Sequence, residues 1–137
     1  MKSNILIVDD ELSSCTLLSM ALEDIYNVEY ATSAAAAMSL LKTKRFDVVL
    51  LDLMVGRDDG IEVLKLIKAY DQHLPVVMIT AFGSIKTSVN AMKNGAFTYL
   101  SKPLDIDELR IFIEQALAVR RLSDEVDYLS GELKERY

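Results

Sequence analysis

Short apolar runs rich in valine, isoleucine and leucine alternate with longer stretches in which apolar residues recur every three or four positions. The runs are ILIV (5–8), VEYA (28–31), VVLL (48–51), VVMI (76–79) and TYL (98–100). This alternation predicts five strands and five helices, arranged as a parallel sheet covered on both faces. The first, third and fourth runs are almost wholly apolar and read as central strands, whereas the second alternates with polar residues and suits an edge. Helix punctuation agrees. Ser33 stands as an N-cap before AAAAMSLLK, Gly95 follows SVNAMKN where a left-handed residue closes a helix, and Asp105 with Glu108 resembles a capping box just after Pro103.

The last helical pattern has no internal stop. Its apolar positions Val119, Leu122, Val126, Leu129 and Leu133 keep a three-four spacing beyond the point where one domain needs it. For Val119 and Leu122 the packed face of a domain-terminal helix is an equal reading. For Val126, Leu129 and Leu133 a partner helix is favoured, although Gly131 weakens the helix by roughly 1 kcal/mol relative to alanine. The expected organisation is therefore one compact domain over 1–120 and a helical linker over 121–137 that pairs as a coiled-coil homodimer.

Composition narrows the function. A chain of 137 residues, 51% hydrophobic, can bury one core, and a net charge of -6 lacks the basic footprint of a nucleic-acid binder. Cys15 is alone, which excludes an internal disulfide and a cysteine-based metal site; it reads as a small buried hydrophobe. No apolar run approaches the roughly 20 residues needed to span a bilayer, so no membrane role and a cytoplasmic location are expected. The six methionines read as core filler, and His73 as a loop residue away from any chemistry.

The candidate chemistry lies where the strands end. Asp9 and Asp10 follow the first run, Asp52 the third, Thr80 the fourth and Lys102 the fifth. Open parallel sheets bind ligands beyond the carboxyl ends of their strands, so these segments deliver their polar groups to one place. Three neighbouring carboxylates repel one another unless a cation is present, which makes Asp9, Asp10 and Asp52 a hard-cation site suited to Mg2+. A lysine and a threonine hydroxyl complete a cradle for a phosphoryl group, with Asp52 best placed as nucleophile. Taken singly, each group has a plainer explanation: helix capping for the Asp9–Asp10 pair, a strand-end hydroxyl for Thr80, a surface charge for Lys102. Asp47 lies at the entry end of its strand, and Asp58 and Asp59 before Gly60 are accounted for by turn and cap.

The segments ILIVDDE, DVVLLDLM, VVMITAFG and GAFTYLSKP together resemble the response-regulator receiver domain of bacterial two-component signalling, over about residues 4–120. The resemblance implies a flavodoxin-like (CheY-like) doubly wound α/β fold with strand order 2-1-3-4-5. It implies that Asp52 is the phosphoacceptor, that Asp10, Asp52 and the backbone carbonyl of Met54 hold Mg2+, and that Asp9 acts through water. Lys102 would pair with Asp52 or its phosphoryl group, Thr80 would bond a phosphoryl oxygen, and Tyr99 would be the aromatic switch. The domain would be no enzyme beyond catalysing its own phosphorylation and autodephosphorylation, with a sensor histidine kinase as donor. The stretch from Ala81 to Leu109 is similar to the NtrC type, implying downstream ATPase and DNA-binding domains that control sigma-54 transcription.

Two departures from that family bear on mechanism. A proline-glycine pair usual after the acceptor is replaced by Gly56 and Arg57, which suggests a more mobile loop. The positions that tune dephosphorylation are Met54 and Phe82, and neither side chain can orient a water. Two rival readings are disfavoured. A haloacid-dehalogenase-like phosphatase needs an acid where Met54 stands, and a flavodoxin needs a phosphate loop where the chain has DDE.

Overall fold

The computed structural model describes residues 2–81 and 84–136, with side chains through Leu129. Strand β1 (Asn4–Val8) leads to α1 (Leu12–Leu22), β2 (Asn27–Ala31) to α2 (Ala34–Thr43), and β3 (Val48–Asp52) to a short hairpin of β4 (Met54–Val55) and β5 (Asp58–Asp59). Then follow α3 (Gly60–Tyr70), β6 (Val76–Thr80), α4 (Ile85–Lys93), β7 (Thr98–Ser101) and α5 (Ile106–Arg136). The main sheet is parallel throughout, in the order β2-β1-β3-β6-β7. With the hairpin left out of the count, this is the expected order 2-1-3-4-5, with β2 at an edge.

Two-residue alternation divides the strands between two cores. Ile5, Ile7, Val48, Leu50, Val77 and Ile79 pack with Cys15, Leu18 and Leu22 of α1 and Leu109, Ile113 and Ala116 of α5. Leu6, Val8, Val49, Leu51, Val76 and Met78 face Ala37 and Leu41 of α2, Leu64 and Ile67 of α3 and Ala91 of α4. The caps form largely as expected. Ser33 accepts from the Ala36 N–H, Gly95 has φ +97°, and Asp105 accepts from the N–H groups of Asp107 and Glu108.

Three expectations need correction. The segment after Asp52 is not an open loop but an antiparallel hairpin, with Met54 opposite Asp59 and Val55 opposite Asp58, turned by Gly56 at φ +63°. Methionine is not mainly core filler: Met78 is buried, whereas Met20, Met54 and Met92 are exposed. Val119 and Leu122 do not lie on a packed face, because both are exposed on the long final helix.

Helix α5 is tied to the base of the sheet, the end opposite the carboxyl termini of the strands. Arg120, almost wholly buried, makes two hydrogen bonds to Asp71 at 2.7 and 3.2 Å and one to the Phe46 carbonyl at 3.3 Å. Asp47 works at the same end, accepting the Asn4 N–H at 2.8 Å and so pinning the entries of β1 and β3 together. Burial pushes the Asp71 carboxyl up, but the hydrogen bonds and charge of Arg120 outweigh it and hold the group below its ordinary value of 3.8. An acid with a depressed folded value adds stability that is complete above the ordinary value and is lost as pH falls through the depressed one. Denaturant midpoints measured from neutral pH down through this acid range should therefore fall more steeply for the parent than for Asp71→Asn.

A phosphoryl-sized cradle at the strand ends

Parallel pairing places Asp52 beside Ile79 and Thr80 beside Ser101, so the acid and the hydroxyl emerge at the same rim of the sheet. Asp9 follows β1 at that rim. Its carboxylate has two separate jobs: Oδ1 accepts the Glu11 N–H at 2.9 Å, fixing the turn that leads into α1, and Oδ2 accepts from the Lys102 ammonium at 3.2 Å. The same ammonium lies 3.4 Å from Asp52 Oδ2. Lys102 is delivered by the backbone, its N–H bonded to the Thr80 carbonyl at 2.9 Å. Asp9 thus holds the turn before α1 with one oxygen and faces Lys102 with the other.

One carboxylate oxygen from each of Asp9, Asp10 and Asp52 falls within 4.8 Å of the others, with Asp9 buried, Asp52 half-buried and Asp10 exposed. This donor set fits magnesium: hard oxygens, few of them, and an open side at Asp10 for retained waters. Electrostatics point the same way. Burial pushes the Asp52 carboxyl up; Lys102 pulls it down, the Asp9 charge pushes up again, and the result is a raised value. Burial disfavours the Lys102 ammonium, yet Asp52 and Asp9 together raise it above its ordinary value. The asymmetry has a simple cause: one ammonium faces two acids, so it is well compensated while Asp52 is not. A further cation would remove the deficit.

The hairpin and Gly60 hold the Asp52 segment in place. The Gly60 N–H donates to the Leu53 carbonyl at 2.5 Å. A β-carbon on Gly60 would collide with the Asp52 and Leu53 carbonyls and lie 2.7 Å from the Leu53 carbonyl carbon. Asp59 caps α3 by accepting the Ile61 N–H at 2.9 Å, while Asp58 stays exposed in the hairpin, so neither reaches the acid cluster.

Of the residues singled out from sequence, Asp9, Asp10, Asp52 and Lys102 converge at the rim, with Thr80, buried, at the end of the adjacent strand. Tyr99 stands half-buried on β7, its hydroxyl 3.2 Å from Thr87 Oγ1 on α4. Met54 is exposed beside the site, and Phe82 lies outside the described residues. Val119, Leu122, Val126 and Leu129 are exposed along α5, and the side chain of Leu133 lies outside those described. His73 sits in the loop after α3, its Nε2 3.7 Å from Asp127. Gly60 and Arg120 were not singled out for a role. An Asp-Gly step opening a helix was the available signal for the first; an arginine in a charged helix gave none for the second.

A doubly wound sheet with three acids, a lysine and a buried threonine at its carboxyl rim defines the receiver class of signalling domain. Residues 5–114 match the family described as Response regulator receiver domain, and the chain belongs to it. It is 43% identical over 122 residues to the Transcriptional regulatory protein ZraR of Klebsiella oxytoca, covering 88% of this chain and 28% of that protein. With the Alginate biosynthesis transcriptional regulatory protein AlgB of Pseudomonas putida it shares 40% over 134 residues, 97% of this chain and 30% of that one. The solved structure of NtrX from Brucella abortus in complex with ATP superposes with a TM-score of 0.87 at 35% identity, covering 94% of this chain and 30% of that one. A receiver domain protein from Methanospirillum hungatei gives a TM-score of 0.85 at 26% identity, over 90% of this chain and 99% of that one. The NtrC-type receiver expected from sequence holds. The chain spans less than a third of the length of these curated regulators. Among the described residues no helix is long and apolar enough to cross a membrane.

Proposed function

We propose that this chain is a phosphorylation-dependent switch in which Asp52 accepts a phosphoryl group from the phosphohistidine of a sensor kinase. The observation that carries the reading is the convergence of Asp9, Asp10, Asp52 and Lys102 at one rim, beside Thr80. In the transfer an Asp52 carboxylate oxygen forms a bond to phosphorus as the nitrogen–phosphorus bond breaks, and the imidazole leaves with the bonding pair. Lys102 would neutralise charge on the transferred group, and Thr80, at the end of the adjacent strand, would bond a phosphoryl oxygen. Asp10, Asp52 and the Met54 carbonyl would hold Mg2+ directly, with Asp9 acting through water. The ion would supply neutralisation of phosphoryl oxygens.

The consequence of phosphorylation is a repacking around Tyr99 and α4, where the Tyr99–Thr87 hydrogen bond is the link open to change. Residues 1–120 would act as the receiver and 121–137 as a linker helix joining two copies. The likeness to ZraR, AlgB and NtrX supports an output through an ATPase that activates sigma-54 transcription in the cytoplasm, carried by segments outside this chain. Mixing the chain with a labelled, phosphorylated kinase domain tests the reading. Label should move to the chain with magnesium and stay on the kinase with a chelator; transfer that ignores the chelator would contradict it.

Phosphoryl lifetime is a separate expectation. With Met54 exposed beside Asp52 and Phe82 at the other tuning position, no side chain there can orient an attacking water. Met54→Asn or Phe82→Glu should shorten the lifetime of the label on the purified chain. Unchanged decay in both variants would remove this explanation.

A further inference from the structure

Away from the acid rim, the base of the sheet holds a cavity of 340 Å³ between the end of α2, the turn into β3, the end of α3 and the side of α5. Four cations line it, Lys42, Lys44, Arg45 and Arg120, against a single acid, Asp71. The whole chain has 15 lysines and arginines and a net charge of -6, so this concentration of positive charge runs against the composition. Its floor is a buried group rather than a surface side chain. Arg120 is 6% exposed, donates twice to Asp71 and once to the Phe46 carbonyl, and keeps an Nε with no hydrogen-bond partner. The one acid of the lining is therefore neutralised by the guanidinium, and the three wall cations have no other acid inside the cavity to oppose them.

The wall cations are held loosely. Lys44 pairs with Glu29 at 3.2 Å, and Arg45 with Asp47 at 3.4 Å and Asp124 at 2.5 Å, all acids outside the lining; Lys42 makes no ion pair among the described residues. Lys44 and Arg45 are 39% and 53% exposed, and exposed pairs contribute little, so both can turn to a more highly charged anion at small cost. A plainer reading is that cations gather at the carboxyl ends of helices, where unpaired carbonyls carry partial negative charge. That accounts for Lys42, in the last turn of α2. It does not account for Arg45, in the turn before β3, or for Arg120 on α5, which come from other segments and line the same space.

We infer that this basal cavity is a second ligand site, built to take a compact organic phosphate. A phosphate group spreads its charge over several oxygens, so cations arriving from separate segments can each meet one. The volume lies at the lower end of the ~300–1,000 Å³ typical of small-molecule sites, which suits a ligand larger than a bare ion. Tyr70 offers that ligand an apolar wall: its side chain is half exposed, and its hydroxyl donates to the Leu41 carbonyl at 3.2 Å, which fixes the ring. The site stands apart from the phosphoacceptor reading, since it lies at the opposite end of the sheet and calls on neither Asp52 nor magnesium.

The test is calorimetric titration of the whole chain at low salt with a chelator present, using inorganic phosphate, pyrophosphate and adenosine 5′-monophosphate as separate probes. Saturable one-to-one binding is expected, weakening as salt rises, with the monophosphate tighter than inorganic phosphate because it also meets Tyr70. Lys42→Gln with Arg45→Gln, both at exposed positions, should weaken binding by about tenfold. Should that pair fail to fold, Lys42→Gln alone must weaken it. Asp124→Asn, which releases Arg45, should tighten binding, and Asp52→Asn should leave it unchanged. No saturable binding of any probe, binding indifferent to Lys42 and Arg45, or binding lost in Asp52→Asn would overturn the site. Pyrophosphate bound more tightly than the monophosphate, or inorganic phosphate bound as tightly as either, would overturn the organic ligand.

Discussion

Asp52→Asn should reduce phosphoryl incorporation to background while the domain stays folded. Asparagine keeps the size of the side chain but offers no carboxylate oxygen that can form an acyl phosphate, and the other acids of the cluster stand elsewhere. Asp9 is occupied by the Glu11 N–H and Lys102, and Asp10 is open to solvent rather than held beside the ammonium. Stability should move the other way. Burial, with Asp9 beside it, raises the Asp52 carboxyl above its ordinary value of 3.8, so the ionised form is a burden on the fold. An acid with a raised folded value makes the protein more stable as pH falls through that value, because the native state then binds the extra proton. At neutral pH without a divalent cation, urea midpoints of the Asn variant should equal or exceed those of the parent. Added magnesium should stabilise the parent and leave the variant nearly unmoved, since a cation that binds only the intact acid set stabilises only the chain that has it. A variant that lost stability at neutral pH, or gained as much from magnesium as the parent, would contradict the electrostatic account.

Among the described glycines, Gly60→Ala should be the most damaging. The added carbon has no room: the atoms it meets are the backbone carbonyls of Asp52 and Leu53, which cannot rotate away as a side chain could. Relief requires the start of α3 and the end of β3 to part, breaking the Gly60–Leu53 hydrogen bond. Overpacking of this kind costs about 1–3 kcal/mol, and a broken buried backbone bond adds to it. Because the shifted segment carries Asp52, magnesium affinity and phosphoryl acceptance should fall together with the melting temperature. Gly56→Ala provides the contrast. Its β-carbon meets nothing within 4 Å, so the cost there is confined to the φ of +63°. Equal stability losses in the two variants would count against the close approach at Gly60.

The rim residues were legible because strand ends are. An apolar run that stops at a carboxylate places that carboxylate, and parallel strands place successive ends side by side, so Asp9, Asp52, Thr80 and Lys102 could be gathered before any coordinates. The β4–β5 hairpin was not legible, since two-residue strands of Met-Val and Asp-Asp carry no periodicity. Gly60 was read only as part of a turn, because its importance is a contact between a helix start and a preceding loop carbonyl. Arg120 was hidden among the charges of α5, where a buried arginine and a solvated one look alike in sequence. The seam spacing was visible, but its direction depends on Arg120, Asp124 and Asp127 meeting the base of the sheet.

The central claim is that Asp52 is the acceptor, and locating the modified residue tests it most directly. The chain would be treated with acetyl phosphate and magnesium, the acyl phosphate trapped by borohydride reduction, and the product mapped by tandem mass spectrometry. The account predicts one magnesium-dependent modification, on Asp52, in the peptide that spans β3. Modification at Asp9, Asp10, Asp58 or Asp59, or none in a chain that is folded and binds magnesium, would contradict it.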